Sequence, residues 1–245
     1  MIGQLRGGDL VAFGRPDQIV QQLEMAIGVG LLNEGDRLPP ELALAEHLGV
    51  SPLTLRQSLA LLRSKGLVGT RRGRGGGSYI SGQIVTTESD IERLLRARST
   101  DDLRDLGDLA ASVAASTARL AALRSDKEDV RRIRELAVRF EKAATAAELR
   151  RADSRVHVGI AVASQSRRLT SATIQLHGEL AAFSWSARWE VHQERAAIEH
   201  SRLISAIERR DAPGAQRIAV EHFEYEAALL IDQYLDLLTS DPEQE

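Results

Sequence analysis

The stretch RLPPELALAEHLGVSPLTLRQSLALLRSKGLVGTRRGRGGGSYI, residues 37–80, determines the fold of the N-terminal part of the chain. Within it, ELALAEHL (41–48) has the pattern of a short helix, which Gly49 can close as a C-terminal cap. Ser51 is a good N-cap and Pro52 suits a first helical turn, so a second helix is predicted to begin at once. Two helices joined by so short a turn are typical of a helix-turn-helix.

A glycine-rich hairpin is predicted after these two helices. Gly66 ends the second helix, and residues 67–70 and 78–80 have the pattern of short strands on either side of RRGRGGG. An amphipathic helix that opens with Pro16 precedes them, at residues 16–32. Three helices followed by a hairpin predict a winged helix-turn-helix, which we place at residues 10–82.

Basic charge is concentrated in this part of the chain, although the formal net charge of the whole chain is −3. Residues 51–82 contain six Lys or Arg side chains and no Asp or Glu. Residues 1–82 carry nine basic and seven acidic side chains, a balance of +2, so the remainder of the chain carries −5. A local basic surface attracts nucleic-acid phosphates, although a solvated basic patch gives the same pattern.

The rest of the chain is predicted to be helical. Residues 83–98 have the composition of a polar connector, with one helical segment at 90–97. Residues 99–240 have helical periodicity, and we predict helices at 100–123, 126–145, 147–164, 167–188, 190–209 and 212–238. Ser125 and Glu128 indicate a capping box for the second of these. Pro and Gly are scarce, which favours an antiparallel all-α bundle with short connections, so the predicted fold class is mainly α.

The composition limits the cofactors and the location of the protein. No cysteine occurs among the 245 residues, which excludes disulfides and thiolate metal sites. No apolar run approaches the length of a membrane span, and the first residues lack the pattern of a signal peptide. We therefore expect a cytoplasmic protein with no membrane partner.

The second helix of the helix-turn-helix is the candidate recognition helix. Its first turns carry side chains that can face the major groove of double-stranded DNA: Ser51, Thr54, Arg56 and Gln57. The hairpin would offer backbone amides and cations to phosphates through Arg72, Gly73 and Arg74. One such module contacts few base pairs, so we expect a homodimer on a palindromic operator.

The order of these features resembles the GntR family of bacterial regulators. The resemblance covers residues 16–80 and rests on Leu38-Pro39, Leu48-Gly49-Val50, Thr54-Leu55-Arg56, Gly66-Leu67-Val68 and the wing RRGRG. In FadR-like members the operator is contacted from the start of the recognition helix, its Arg and the wing tip. By position, this resemblance implies contacts from Ser51, Thr54, Arg56, Arg72 and Gly73.

Two positions differ from that family pattern. Leu42 stands where an Arg often follows the Glu of the first of the two helices, and Pro52 stands where an Arg commonly follows the N-cap of the second. Two typical DNA-contacting cations are therefore missing. We expect a divergent operator with fewer direct base contacts.

Histidines are concentrated in the helical part of the chain. Asp153 and His157 lie four residues apart and therefore share a helix face. His200 and His222 each lie in an apolar stripe of another predicted helix. For each one alone, a hydrogen-bonded core histidine is the more common situation, whereas three that converge with an Asp would form a site.

The pattern also resembles the FCD domain, the C-terminal domain of FadR-like regulators. The order Asp153-Ser-Arg-Val-His157, Glu199-His200, Asp211 and Glu221-His222 follows that domain. Members that contain a metal use one Asp and three His, and the resemblance therefore implies the ligands Asp153, His157, His200 and His222. Such a donor set suits a divalent ion with open positions, and Zn²⁺, Ni²⁺ and Mn²⁺ remain alternatives.

The first helix of this domain differs from its relatives. Where many members carry an Arg and a Glu toward the effector, this chain has Ala110 or Ala111 and then Ala114. Weaker candidates to line an effector pocket are His177, Trp185 and Arg188. We expect a repressor whose effector is an organic or fatty acid-like metabolite. Either the metal alone binds this effector, or the effector is larger and less charged than a simple organic acid.

Two other classes of function compete with a regulator. A metal-dependent hydrolase or lyase could use the Asp and His cluster, but it needs a general base beside the metal, and no HExxH arrangement is present. A nucleoid or RNA-binding protein could use RGRGGG, but it leaves the histidines unexplained. We therefore predict a regulator that is not an enzyme.

Overall fold

The computed structural model describes residues 16–82, 87–180, 183 and 192–239. The chain divides into two compact units, Met1–Val85 and Thr86–Glu245. The predictions made for Trp185 and Arg188 lie outside the described residues.

The N-terminal unit is a winged helix-turn-helix. It contains α1 (Pro16–Gly28), α2 (Glu41–Leu48), α3 (Pro52–Ser64), β1 (Val68–Arg71) and β2 (Gly77–Ile80). The strands pair antiparallel, with Val68 opposite Ile80 and Arg71 opposite Gly77. The predicted caps are present, since Gly49 is left-handed (φ 65) after α2 and the Ser51 side chain accepts from the backbone N–H of Thr54.

The core of this unit lies between α1 and α3. Ile19 and Leu23 of α1 are buried, as the predicted apolar face requires, and Leu55 and Leu59 of α3 are fully buried. Helix α1 ends at Gly28, earlier than the predicted residue 32. The backbone turns at Gly30, whose φ of 70 is left-handed and incompatible with a continuing helix.

The C-terminal unit is entirely helical in its described part. Its helices are α4 (Glu88–Arg96), α5 (Thr100–Arg124), α6 (Lys127–Glu141), α7 (Ala146–Ala163), α8 (Arg167–Leu180), α9 (Gln193–Glu208) and α10 (Ala212–Thr239). The long helices α5 and α10 form the most extensive pair. Gly107 permits their close approach, because a Cβ there would lie 2.5 Å from the Cβ of Ala227.

The main core of this unit joins α5, α6, α7, α9 and α10. Phe140, Val156 and Ala215 are among its fully buried members. The capping box of α6 is formed by Asp126 and Asp129, not by Ser125 and Glu128 as predicted. The reason is that Ser125 belongs to the end of α5, where its N–H donates to the carbonyl of Ala121.

Helix α4 corresponds to the helical segment predicted within residues 83–98. It starts with a capping box of Thr87 and Asp90. Ile91 and Leu95 are buried in one apolar cluster with Leu103 and Leu230. This segment is therefore packed into the C-terminal unit.

Among the described helices, none combines the length and apolar character of a membrane span.

Candidate functional site

The start of α3 carries the predicted DNA-contacting side chains. The Oγ atoms of Ser51 and Thr54 lie 2.8 Å apart, while the side chain of Arg56 is 63% exposed and Gln57 is exposed. Arg56 Nε donates to Oε2 of Glu41 on α2 at 3.1 Å. This ion pair restrains an exposed guanidinium beside the start of α3. Sequence reasoning missed Glu41 because its partner lies on another helix.

The wing is a tight glycine turn. Gly73 (φ 100) and Gly75 (φ 93) are left-handed, and the N–H of Gly76 donates to the carbonyl of Gly73 at 2.8 Å. A Cβ on Gly76 would lie 2.6 Å from the carbonyl oxygen of Arg71, so the turn requires glycine there. The predicted contact residues Arg72, Gly73 and Arg74 are exposed on this turn.

Two side chains hold the wing from its base. Arg37 Nη2 donates to the carbonyl of Gly76 at 2.7 Å, and the Tyr79 hydroxyl donates to the carbonyl of Gly75 at 2.7 Å. The Arg71 guanidinium lies 4.5 Å from the centre of the Tyr79 ring. The backbone of the wing is thus fixed while its Arg72 and Arg74 side chains face solvent.

The positions that depart from the family pattern are also on the surface. Leu42 is 71% exposed and Leu53, next to Pro52, is 65% exposed. Pro52 itself occupies the first turn of α3. Leu42 and Pro52 therefore leave the surface without a cation at these two positions, and the expectation of fewer direct base contacts stays a prediction.

In the C-terminal unit, four buried side chains converge in the way that one metal ion requires. Asp153 and His157 lie on α7, His200 on α9 and His222 on α10. One ligand atom from each of the four lies within 4.8 Å of all the others. The family order implied all four residues, and the structure shows that they converge from three helices.

The distances within this cluster match a common coordination centre. His157 Nε2 lies 3.2 Å from Nε2 of His200 and 3.2 Å from Nε2 of His222. Asp153 Oδ1 lies 3.4 Å from His200 Nε2 and 3.6 Å from His157 Nε2. Two ligand atoms on metal bonds of about 2.1 Å are about 3.0–3.4 Å apart at octahedral or tetrahedral angles. Three of the four distances lie in that range, and the distance of 3.6 Å between Asp153 and His157 is slightly longer.

An unsatisfied carboxylate oxygen supports the same interpretation. In the described part of the chain, Asp153 Oδ1 is buried and has no hydrogen-bond partner. A buried carboxylate oxygen without a donor is costly, and a cation would remove that cost. These four residues therefore fit a divalent metal ion.

Carboxylates surround the His222 side of the cluster. Glu199 Oε2 lies 2.8 Å from His222 Nδ1, and Glu226 Oε1 lies 3.4 Å from His222 Nε2. Burial opposes protonation of His222, but the carboxylates of Glu226 and Glu199 outweigh burial and raise its pKa. Burial raises the pKa of Glu226 to about 8, so near pH 7 the negative potential comes mainly from Glu199 and Asp153, whose pKa values are lowered, and this potential favours a divalent cation. Sequence reasoning gave no role to Glu226, although its position four residues after His222 on α10 was visible.

A cavity adjoins the cluster at His157. Its empty space, including the part open to solvent, is at most about 370 Å³, and it is lined by residues of α5, α7, α8, α9 and α10. His177, a weak candidate from the sequence, lines it and stacks on His157 with ring centres 4.8 Å apart. Burial lowers the pKa of His177 to about 4, so its ring is neutral near pH 7.

The alanines of α5 have different places around this cavity. Ala110 and Ala114 line it. Ala111 is buried against Phe223 in a small apolar cluster and is not among the lining residues. Helix geometry explains this, since positions four apart share a face whereas adjacent positions do not.

Comparisons with known proteins identify both units. Residues 16–77 match the family model described as bacterial regulatory proteins, gntR family, and residues 105–225 match the FCD domain. The HTH-type transcriptional regulator RmpR of Mycobacterium gastri is 41% identical over 228 residues, which cover 91% of this chain and 82% of that protein. The chain belongs to the GntR family of bacterial regulators.

Further relatives agree with this assignment. The Glc operon transcriptional activator of Escherichia coli is 29% identical, over 83% of this chain and 84% of that protein. The solved structure of McbR/YncC of Escherichia coli has a TM-score of 0.52 at 18% identity, over 89% of this chain and 98% of that one, and shows the same fold.

The GntR-family chain is thus a DNA-binding transcriptional regulator with an FCD effector-binding domain. Its family and relatives are regulators and not enzymes, so the prediction that it is not an enzyme is confirmed. The metal-dependent hydrolase or lyase considered from the sequence has no support among them.

Proposed function

We propose that the protein binds a palindromic operator as a homodimer and acts as a repressor that a small organic acid releases from DNA. The base contacts would come from Ser51, Thr54, Arg56 and Gln57, and the phosphate contacts from Arg72, Gly73 and Arg74. The exposure of the Arg56 side chain and of the wing residues supports this assignment. Guanidinium groups suit bidentate contacts with guanine, and backbone amides with cations suit phosphates.

The second part of the proposal is a divalent metal held by Asp153, His157, His200 and His222. When bound, a divalent ion would supply open coordination positions to an oxygen ligand. Glu199 would fix the ring of His222, since an imidazole whose Nδ1–H donates to a carboxylate presents the lone pair of Nε2. Zn²⁺, Ni²⁺ and Mn²⁺ remain the candidate ions.

The single observation that supports a sensing role best is the position of the cavity, because His157 belongs both to its lining and to the group of four candidate metal ligands. A ligand in that cavity would lie beside the ion and contact several helices at once. A difference in its affinity for two arrangements of these helices would shift the equilibrium between them. The ligand would then change operator affinity by the same factor as the operator changes ligand affinity.

DNA binding with and without metal tests this function. DNA fragments from upstream of the protein's own gene are titrated by fluorescence anisotropy, in metal-loaded and chelated samples, against a set of organic acids. We expect specific binding to one fragment, released by an acid only in the metal-loaded sample. The variant His157→Ala should bind the fragment but lose the release. The proposal would be contradicted if no fragment is preferred. It would also be contradicted if an acid releases the protein from DNA equally well in the chelated sample and in the His157→Ala variant.

A further inference from the structure

The lining of the cavity described above is apolar and carries no permanent charge. Of its thirteen lining residues in the described part of the chain, nine are apolar, two are Thr and two are His, and none is Lys, Arg, Asp or Glu. Ala110, Val113 and Ala114 form a wall of small side chains along α5. A ligand that carries many hydroxyls or several charges would leave them unpaired against this wall, at a high desolvation cost.

One side chain in this lining is a hydrogen-bonding group without a partner. Thr173 is 5% exposed, and its Oγ1 is buried with no hydrogen-bond partner in the described part of the chain. The other lining threonine, Thr117, donates to the carbonyl of Val113 in its own helix. Thr173 is therefore the hydroxyl that remains available to a ligand.

Three of the four polar side chains of the lining lie together, and the fourth, Thr117, lies on α5. Thr173 and His177 are four residues apart on α8 and share a face, and His177 stacks on His157. The cavity thus has a polar end formed by these three residues and an apolar wall on α5. The cavity is partly open to solvent, and its empty space, the open part included, is at most about 370 Å³, so the part of a ligand that it holds is small.

We propose that the effector of this protein is a small monocarboxylate with an unbranched apolar tail, not a sugar acid or a di- or tricarboxylate. Its head lies at the polar end, where the Thr173 hydroxyl donates to it beside His157, and its tail lies along the wall of Ala110, Val113 and Ala114. This inference rests on the proposed metal and sensing role of the C-terminal unit.

Two matched series of probes test this chemistry by isothermal titration calorimetry and thermal shift on protein of known metal content. The first series is acetate, butanoate and hexanoate. Because each buried methylene strengthens binding about fourfold, hexanoate should bind far more tightly than acetate. The second compares hexanoate with gluconate, a monocarboxylate of the same number of carbons that carries five hydroxyls. Gluconate should produce no thermal shift.

Three variants separate the head of the ligand from its tail. Thr173→Val removes the unpartnered hydroxyl and should weaken every member of the series by a similar factor, about three- to tenfold. Ala114→Leu fills the wall and should weaken hexanoate much more than acetate. The control is Thr170→Val on the same helix, whose hydroxyl donates to the carbonyls of Ala161 and Ser166 and lies outside the cavity lining. It should leave all affinities unchanged.

The outcomes distinguish this inference from the proposed function. If acetate or gluconate binds as tightly as hexanoate and still releases DNA, the apolar-tail assignment is wrong while the sensing role stands. If Thr173→Val behaves like Thr170→Val, the position of the head is wrong. If no probe binds and the protein contains no metal, both the inference and the proposed sensing role fail.

Discussion

Nδ1 of His222 and Oε2 of Glu199 are 2.8 Å apart, and both side chains are buried. The other oxygen of Glu199 accepts from Nε of Arg195 at 2.8 Å, and the guanidinium of Arg195 lies 3.4 Å from the centre of the Tyr225 ring. Glu199 is therefore held from one side and orients His222 on the other. A histidine fixed in this way has one tautomer and one ring position, which a metal ligand requires.

The first prediction is that Glu199→Gln weakens metal binding without removing any ligand. Loss of the carboxylate charge makes the His222 ring less basic and holds its orientation less firmly. Such changes typically cost about 10- to 100-fold in metal affinity. Competition against a chromophoric chelator measures this loss. The control, Glu194→Gln, changes an exposed carboxylate on the same helix and should have no effect. Equal affinities of the two variants would contradict the role of Glu199.

The sequence predicted the architecture because local signals determine each element. Ser51 and Gly49 mark the ends of helices through backbone geometry that depends on neighbouring residues alone. In the same way, Asp211 begins α10 by accepting from the N–H of Gly214 at 2.9 Å. The capping box of α6 was misplaced by one residue, since Ser125 and Asp126 are both suitable caps and only the end of α5 decides between them.

The candidate site was only partly predictable. The four histidine and aspartate ligands could be identified because they follow a family order. The hydroxyl of Thr173 gave no signal, since a threonine in a helix ordinarily donates to its own backbone, as Thr170 does. The pairing of Glu199 with His222 joins α9 to α10, and no spacing along the chain encodes it.

The second prediction concerns specific recognition of DNA. Arg56→Ala should weaken binding to the operator by about 1–3 kcal/mol and relax its sequence preference, because an exposed guanidinium near the start of α3 can make a bidentate contact with guanine. Lys65→Ala is the control, since Lys65 lies at the other end of α3 and pairs with Glu24. Anisotropy titrations with operator and scrambled DNA measure both effects. The assignment is wrong if Arg56→Ala binds both DNAs as the parent does.

The third prediction uses the salt dependence of DNA binding. Arg72→Ala removes an exposed wing cation and should reduce the slope of log K against log salt by about 1, for all sequences alike. Leu42→Arg adds a cation at a 71% exposed position and should increase the slope by a similar amount. Titrations at four salt concentrations give the slopes. Unchanged slopes in both variants would place these positions away from the phosphates.

The fourth prediction is a dimer. Exposed large apolar side chains occur on several helices of the C-terminal unit, including Leu109, Leu123 and Ile198, each at least 50% exposed. Burial of such side chains between two copies would stabilise a pair that places two recognition helices on a palindrome. Light scattering at micromolar concentration should give twice the chain mass of 26.8 kDa. A mass of one chain, with and without operator DNA, would exclude the dimer.

The measurement that tests the central claim most directly is elemental analysis of protein purified without chelators and without a His-tag. We expect about one divalent ion per chain. Chelation should lower the melting temperature, because the ion binds the folded state in preference to the unfolded chain. His200→Ala should lose both the ion and the response to chelator. Absence of any divalent metal, together with a melting temperature that Zn²⁺, Ni²⁺ and Mn²⁺ leave unchanged, would show that Asp153, His157, His200 and His222 are core residues only.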